Sequence, residues 1–257
     1  HHWWLPIIGW AAWFSMLWAM LGWWIAQGKP RYPWQDGSIA FISDIGATKT
    51  MQPVFIACTS VMAICFVLSV AADRLLRHQS RLPRNMRRTE RVLSYCAIAG
   101  ATIGGVAITL VSCFNTNSFP RAHDVFLLFF MIGVALSAIF TTAELGLLDV
   151  YHQDHQRIHG LLRLSYILKI VLVVVDVALA IAFGITLFQS DSVHNVSAVL
   201  EWAVAFIFTF YLLTFVLDLW PARVAEKGTY EVENGYAVEG FPREEAEGAG
   251  AAEEMRA

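Results

Sequence analysis

The sequence is short of charge. Charged residues make up 15% of the 257 residues, against about a quarter in a typical soluble domain, whereas hydrophobic residues make up 57%. This balance excludes both a soluble domain and a disordered chain, because so much apolar surface cannot remain in water. An excess of basic residues is also missing: the net charge is -3 and the isoelectric point about 6.2, which excludes a typical nucleic-acid-binding protein.

Cysteine pairs and catalytic sequence motifs are missing as well. The four cysteines include no CxxC pair, which excludes a zinc ribbon, and they are expected to behave as small buried hydrophobes. There is no P-loop, dinucleotide-binding or nucleophile-elbow motif, and we expect no cofactor. The first apolar run has no charged region or cleavage site before it, so we interpret it as a membrane span and not as a cleaved signal peptide.

Long apolar runs dominate what is present. A bilayer core of about 30 Å needs roughly 20 apolar residues of helix. Six windows meet that requirement, at residues 5–26, 53–72, 92–113, 125–148, 164–188 and 199–220. The runs are continuously apolar and do not alternate, which favours helices over a β-barrel. The sequence therefore predicts an all-α integral membrane bundle of six transmembrane helices.

The distribution of basic residues predicts the orientation of this bundle. Segment 73–91, between the second and third windows, holds seven arginines: Arg74, Arg77, Arg81, Arg84, Arg87, Arg88 and Arg91. Such a density marks the cytosolic side, and alternation of the spans then places both termini in the cytosol. The same arginines are the predicted contact for anionic lipid, since each is worth about 1 kcal/mol near an anionic leaflet.

The chain divides into a six-span membrane domain, residues 1–220, and a tail, residues 221–257. The tail carries nine Glu against four basic residues and has few large apolar side chains. This composition predicts a disordered, acidic, cytosolic segment. On the predicted outer side, Asn195 begins an Asn-Val-Ser sequon and is a candidate for glycosylation, although it lies close to the bilayer.

Several residues inside the windows are candidates for specific roles. Gly100 and Gly104 present a small-residue face that favours close helix packing, within the chain or in a homodimer. Glu144, Lys169 and Asp176 are ionisable residues inside the membrane, where they are costly and indicate a structural or functional role. We expect Glu144 and Lys169, at similar depth on consecutive spans, to form an ion pair. Asp176 lies deeper, and a channel or transporter would be built around it.

One histidine group has the spacing of a single helix face. His152, His155 and His159 stand at i, i+3 and i+7, so they would share one side of a helix. We interpret them as a solvated helix end, with a metal site as the alternative.

A second polar group is predicted to meet on the outer side: Asp44, His123 and Asp124. A carboxylate next to a histidine can perform acid–base chemistry on a lipid headgroup. The alternative is structural, with Asp124 capping the start of the fourth span and residues 43–48 forming a tight turn. An enzyme needs a concave polar site on this face, whereas a scaffold does not.

The order of these features resembles a known family, the Frag/DRAM/Sfk membrane proteins with a CWH-type N-terminal domain. The likeness covers about residues 3–220 and is strongest to the fungal Sfk-like branch. It is carried by Tyr32-Pro33, the stretches 43–47, 114–116, 120–123 and 126–130, Thr142-Ala143-Glu144, and the stretch from Leu200 to Asp218. The resemblance implies a six-span fold.

The resemblance implies three alternative roles. Sfk-like proteins act at the plasma membrane, where they support the phosphatidylinositol 4-kinase assembly and influence phospholipid asymmetry and sterol retention. Our leading hypothesis is accordingly a non-enzymatic regulator of plasma-membrane lipid composition that supports a lipid-kinase complex. The alternatives are a GPI-anchor or lipid-remodelling enzyme, or its subunit, in the Golgi or ER, and a DRAM-like autophagy modulator in the vacuole or lysosome.

Overall fold

The structure, a computed structural model, describes residues 2–83, 87–151, 156–187, 193–233 and 236–239. Within these ranges the chain forms seven α-helices, a short 3-10 turn at Pro221–Arg223 and two strands. The helices are α1 (Leu5–Ala26), α2 (Ile42–Gly46), α3 (Gln52–His78), α4 (Arg88–Cys113), α5 (Pro120–Tyr151), α6 (Gln156–Leu187) and α7 (His194–Leu219). The strands are β1 (Tyr230–Glu233) and β2 (Tyr236–Glu239).

Six of these helices, all except α2, are long and apolar enough to cross a bilayer. The prediction of an all-α bundle of six spans is therefore confirmed. The helices follow the predicted windows in order, and several extend beyond them, most clearly at the start of α6, which begins at Gln156, and at the end of α3, which continues to His78. Backbone hydrogen bonding continues past the apolar window, so hydropathy alone does not mark where a helix ends.

The start of α5 differs from the sequence prediction. The helix begins at Pro120, where the fixed φ and missing N–H of proline suit the first helical turn. Asp124 therefore lies one turn inside α5, and the interpretation that it caps this helix is wrong. Residues 43–46, expected in a tight turn, instead belong to the short helix α2.

Helices α4 and α5 pack with their backbones in contact. A Cβ atom placed on Gly100 would lie 2.8 Å from the carbonyl oxygen of Gly133, and one placed on Gly133 would lie 2.6 Å from the backbone nitrogen of Gly104. Only glycine fits such an approach. The small-residue face of α4 thus packs within the chain, which leaves it unavailable to a second copy.

Helix α6 is the span most exposed to lipid. Only 6% of its apolar window is buried, against 28–50% for the other five spans. It packs more extensively on α7 than on α5. One side of α6 therefore forms much of the outer surface of the bundle.

The two ends of the bundle differ in chemistry. At one end Trp3 packs edge-on against Trp220, and Leu5 clusters with Leu76 and Leu219 beside the arginine-rich connection from α3 to α4. We call this the basic end, which the arginine bias predicts to be cytosolic. The opposite end holds α2, the α4–α5 connection and the start of α7, and we call it the cavity end.

The first part of the tail is held against the basic end. Arg81 donates hydrogen bonds to the backbone carbonyls of Ala222 and Ala225, both at 2.8 Å. Further on, β1 and β2 pair antiparallel, with Tyr230 opposite Glu239. This hairpin differs from the predicted disorder, because tyrosine and valine alternate with glutamate at the period of a strand. Residues 240–257 lie outside the described ranges.

Candidate functional site

A cavity of about 460 Å³ lies at the cavity end. Its lining brings together the three residues predicted to meet there, Asp44, His123 and Asp124. The lining also includes polar and aromatic residues that were not assigned to this site from the sequence, among them Trp34, Asp36, His194 and Glu201. The concave polar site that an enzyme needs on this face is therefore present, although a scaffold can carry such a cavity as well.

Helix α2 positions the acidic side of the cavity. Asp44 Oδ2 accepts a hydrogen bond from the Phe41 N–H at 3.0 Å, and Glu201 Oε2 of α7 accepts one from the Ile42 N–H at 2.6 Å. The two carboxylates satisfy N–H groups at the start of the helix, where negative charge is also favoured by the helix dipole. Glu201 lies 159 residues from Ile42, so local sequence gives no signal of this contact.

Asp44 is a strongly perturbed acid outside the spans. Burial raises the pKa of its carboxyl to about 7, with the Phe41 N–H opposing the rise and the charge of Asp36 adding to it. The residue is only 3% exposed. Its proton therefore exchanges near neutral pH, and the charge of the cavity changes with it.

His123 is oriented with one ring nitrogen free. Its Nδ1 lies 3.1 Å from the Val111 carbonyl oxygen and 3.0 Å from that of Phe114, at the end of α4. Both oxygens are acceptors, so Nδ1 carries the proton and Nε2 keeps its lone pair. Nε2 has no hydrogen-bond partner among the described residues, although His123 is only 3% exposed. His123 lines the cavity, so the ring places an unpaired, buried nitrogen at its wall.

An apolar slot of about 100 Å³ adjoins the cavity between α5, α6 and α7. Ser43, Leu127, Phe183 and Glu201 line both spaces. Asp176, the deep acid of α6, lines the slot, and its Oδ1 has no hydrogen-bond partner within the described ranges. The polar cavity at the end of the bundle thus adjoins the apolar slot inside it.

A second polar cluster is buried near the basic end. Lys169 Nζ lies 2.7 Å from Asp218 Oδ2 of α7 and donates to Thr214 Oγ1 at 2.6 Å. The predicted pairing of Lys169 with Glu144 is therefore wrong, because α6 packs mainly on α7 and turns its lysine there. Glu144 instead lies 3.9 Å from Arg77 Nε of α3.

Arg77 does not belong to the predicted lipid-contacting arginine surface, so its assignment there is wrong. Its residue is 1% exposed, and its guanidinium donates to both carboxylate oxygens of Asp73, at 2.7 and 3.0 Å. The side chain turns into the bundle to reach an acid one turn away, so it is not available to lipid. Of the other predicted arginines, the exposed ones are Arg87, Arg88 and Arg91, the half-buried ones are Arg74 and Arg81, and Arg84 lies outside the described residues.

The structure describes only some of the remaining residues that the sequence singled out as candidate sites. His152 and His155 lie outside the described residues, and the side chain of His159 is not described. In the part of the chain that is described, no three His, Cys, Asp or Glu side chains are arranged to hold a metal ion. Asn195 Oδ1 accepts hydrogen bonds from the N–H groups of Ser38 and Ile39, at 2.7 and 2.9 Å, so this sequon residue ties α7 to the segment before α2.

Fold and site together define a six-span integral membrane protein with a polar cavity at one end and an arginine surface at the other. The family model for the Frag1/DRAM/Sfk1/Cwh43P N-terminal domain matches residues 1–222, and the chain belongs to this family. The resemblance noted in the sequence is therefore confirmed.

Two fungal proteins illustrate the relationship. Protein SFK1 of Saccharomyces cerevisiae is 26% identical over 84% of this chain and 78% of its own length. Protein sfk1 of Schizosaccharomyces pombe is 30% identical over 84% of this chain, which spans 63% of the length of that protein. No solved structure matches the chain.

Proposed function

We propose that this protein is a non-enzymatic regulator of plasma-membrane lipid composition that supports a phosphatidylinositol 4-kinase complex and phosphoinositide and sterol homeostasis. Family membership and similarity to the fungal Sfk1 proteins support this proposal. The observation that carries it is the arginine surface at the basic end, defined by the exposed Arg87, Arg88 and Arg91.

The arginine surface is suited to an anionic leaflet. Its three side chains lie at the start of α4, and Arg74 of α3 reaches the same region, with its guanidinium 5.2 Å from the centre of the Tyr95 ring. Each arginine near an anionic membrane surface contributes about 1 kcal/mol, an attraction that falls off within a Debye length. Three neighbouring arginines therefore concentrate anionic lipid at this end.

The mechanism that follows is recruitment. The start of the tail lies at the basic end, where Arg81 holds the backbone at Ala222 and Ala225. A kinase complex bound to this region would be kept beside the leaflet that contains its lipid substrate. Tethering raises its effective concentration there without any new chemistry in the membrane domain.

Acute depletion of the protein in cells tests this proposal, with a fluorescent reporter of plasma-membrane phosphatidylinositol 4-phosphate as the readout. We expect a prompt loss of signal that the wild-type protein restores and the triple variant Arg87→Gln/Arg88→Gln/Arg91→Gln does not. The matched control, Arg31→Gln/Arg121→Gln, removes two exposed arginines at the cavity end and should restore the signal. An unchanged reporter after depletion would contradict the kinase-support role.

The geometry of His123 favours a second candidate function, a lipid-remodelling enzyme or its subunit. His123 lines the same cavity as Asp44 and Asp124, and its Nε2 has no partner among the described residues, so the ring has a lone pair to act as a general base. Under this hypothesis, His123→Ala abolishes lipid remodelling in depleted cells, measured by lipid mass spectrometry, while abundance and location stay normal. His78→Ala, at an exposed histidine of the basic end, is the control. Full activity of His123→Ala would exclude this residue as a catalytic base.

A further inference from the structure

The cavity and the slot have the complementary chemistry of an amphiphile. The cavity has several polar lining residues and lies at an end of the bundle, whereas most residues lining the slot are apolar. The shared lining residues Ser43, Leu127, Phe183 and Glu201 place the two spaces side by side. A ligand with a polar head in the cavity and an apolar chain toward the slot matches this arrangement.

The slot is placed where a lipid chain could reach it from the bilayer. One of its walls is α6, the span with the least buried surface. Helix α6 packs less extensively on α5 than on α7. An acyl chain would therefore enter between α5 and α6, whereas the well-packed α4–α5 contact leaves no such route.

The charge of the cavity determines which lipid headgroup it can bind. Four lining residues carry carboxyl groups: Asp36, Asp44, Asp124 and Glu201. No lysine or arginine is among the described residues that line it. A cationic group neutralises these carboxylates, whereas a free phosphate or an anionic head is repelled.

His123 narrows the choice of cation. Its Nε2 lone pair is buried and lacks a partner among the described side chains and backbone, so a ligand that donates a hydrogen bond there removes a cost of desolvation. A primary ammonium has three N–H donors, whereas a quaternary ammonium has none. The carboxylates of Asp44 and Glu201 accept from the remaining donors.

We propose that the cavity and the slot bind one membrane lipid whose headgroup carries a primary ammonium, held by Asp44, His123 and Glu201. Thr116 and Asn117 also line the cavity and carry the donors that the phosphodiester of such a lipid needs. The inference rests on the proposed role in lipid composition and deepens it, since it names the class of lipid that the cavity end recognises.

Native mass spectrometry of the purified full chain in detergent tests the proposal, with dioctanoyl phosphatidylethanolamine, phosphatidylcholine and phosphatidylglycerol as probes. We expect phosphatidylethanolamine to bind at least tenfold more tightly than either of the others. Equal binding of all three would overturn the proposal. Preferential binding of phosphatidylcholine would overturn the requirement for an N–H donor, and preferential binding of phosphatidylglycerol would overturn the charge argument.

Two variants locate the binding in the structure. Glu201→Gln keeps the shape of the side chain but removes its charge, and should weaken phosphatidylethanolamine binding at least tenfold. Glu226→Gln, at an exposed glutamate of the basic end, should bind like the wild type. If loss of the Glu201 carboxylate prevents folding, Ala180→Trp, which fills the slot from α6, should weaken binding instead.

If folded Glu201→Gln and Ala180→Trp both bind phosphatidylethanolamine as tightly as the wild type does, the assignment of the binding site to the cavity and the slot is wrong. The assay uses purified protein and no kinase, so its failure leaves the cellular reporter experiment unaffected. A failed reporter experiment in turn leaves the lipid-binding result standing.

Discussion

At the scale of single residues, Lys169 shows how a charge is kept inside the bundle. Its ammonium is fully buried, 2.7 Å from Asp218 and 4.3 Å from the centre of the Phe215 ring. Ser165 and Thr214 accept its other hydrogen bonds. A buried ion pair of this kind adds little net stability, but losing one partner leaves an uncompensated charge that costs about 3–5 kcal/mol.

We therefore expect Lys169→Met to lower the free energy of unfolding by several kcal/mol, because the Asp218 carboxylate is left without its cation. The double variant Lys169→Met/Asp218→Leu should recover most of that loss, since it removes both charges. Thermal unfolding of the purified protein in detergent, followed by size-exclusion chromatography, measures both. A double variant as unstable as the single one would show that packing, and not charge, sets the cost.

The raised pKa of Asp44 predicts a pH dependence of lipid binding. With a pKa of about 7, its carboxyl is mostly neutral at pH 6 and mostly ionised at pH 8, so phosphatidylethanolamine should bind more tightly at pH 8. The other titratable groups that face it are Tyr32, Asp36, His123, Asp124, His194 and Glu201.

Asp44→Asn should therefore remove most of the dependence between pH 6 and pH 8, because an amide does not titrate in this range. The measurement uses the same short-chain probe. A variant that keeps the full wild-type dependence would show that the Asp44 carboxyl does not cause it.

At the scale of elements, the contact between α4 and α5 depends on glycine. A methyl group on Gly133 would lie 2.6 Å from a backbone nitrogen that cannot move alone, so the helices must separate. Gly184 of α6 has open space around its Cα, with nothing within 4 Å of an added Cβ. The two positions form a matched pair with the same chemistry and different surroundings.

We expect Gly133→Ala to lower the thermal stability of the protein clearly, because the α4–α5 contact must open. Gly184→Ala should leave stability unchanged or raise it by up to about 1 kcal/mol, since alanine favours helix over glycine. Melting temperatures in detergent test the comparison. Equal melting temperatures would mean that the backbones of α4 and α5 can separate at no cost.

The elements also show which kinds of structure a sequence reveals. The spans were predictable because continuous apolar runs of sufficient length have no other stable environment. Helix α2 was not, since Glu201, which caps it, comes from a distant part of the chain. The β1–β2 hairpin was overlooked because the glutamate content of the tail outweighed the alternation of tyrosine and valine.

At the scale of the whole molecule, the orientation is the most consequential prediction still untested. Because the arginines are concentrated at one end, we expect the basic end to face the cytosol and the cavity end to face outward. In a variant without the four native cysteines, Asn117→Cys should react with a membrane-impermeant maleimide on intact cells. Thr89→Cys should react only after permeabilisation, and the reverse pattern would invert the topology.

The candidate site was predictable to a similar, limited degree. Asp44 lies between α1 and α3, and His123 and Asp124 lie near the start of α5 at the same end of the bundle, so their meeting followed from topology. Glu201 could not be placed among them, because it lies inside a span and its partners depend on how α7 packs. Lys169 was recognised as a buried charge because its depth in the membrane follows from its position in an apolar run. Its partner was missed because the neighbours of a helix follow from packing, which the sequence does not reveal.

The position of these charges along the chain has a consequence for biogenesis. A span that carries an unpaired lysine loses up to about 3 kcal/mol on leaving the translocon. Arg77 avoids that loss at once, since Asp73 lies one turn away on the same helix. Lys169 must wait until α7 delivers Asp218. We therefore expect α3 to leave the translocon alone and α6 to leave it together with α7, so that a ribosome stalled before α7 should leave α6 at the translocon.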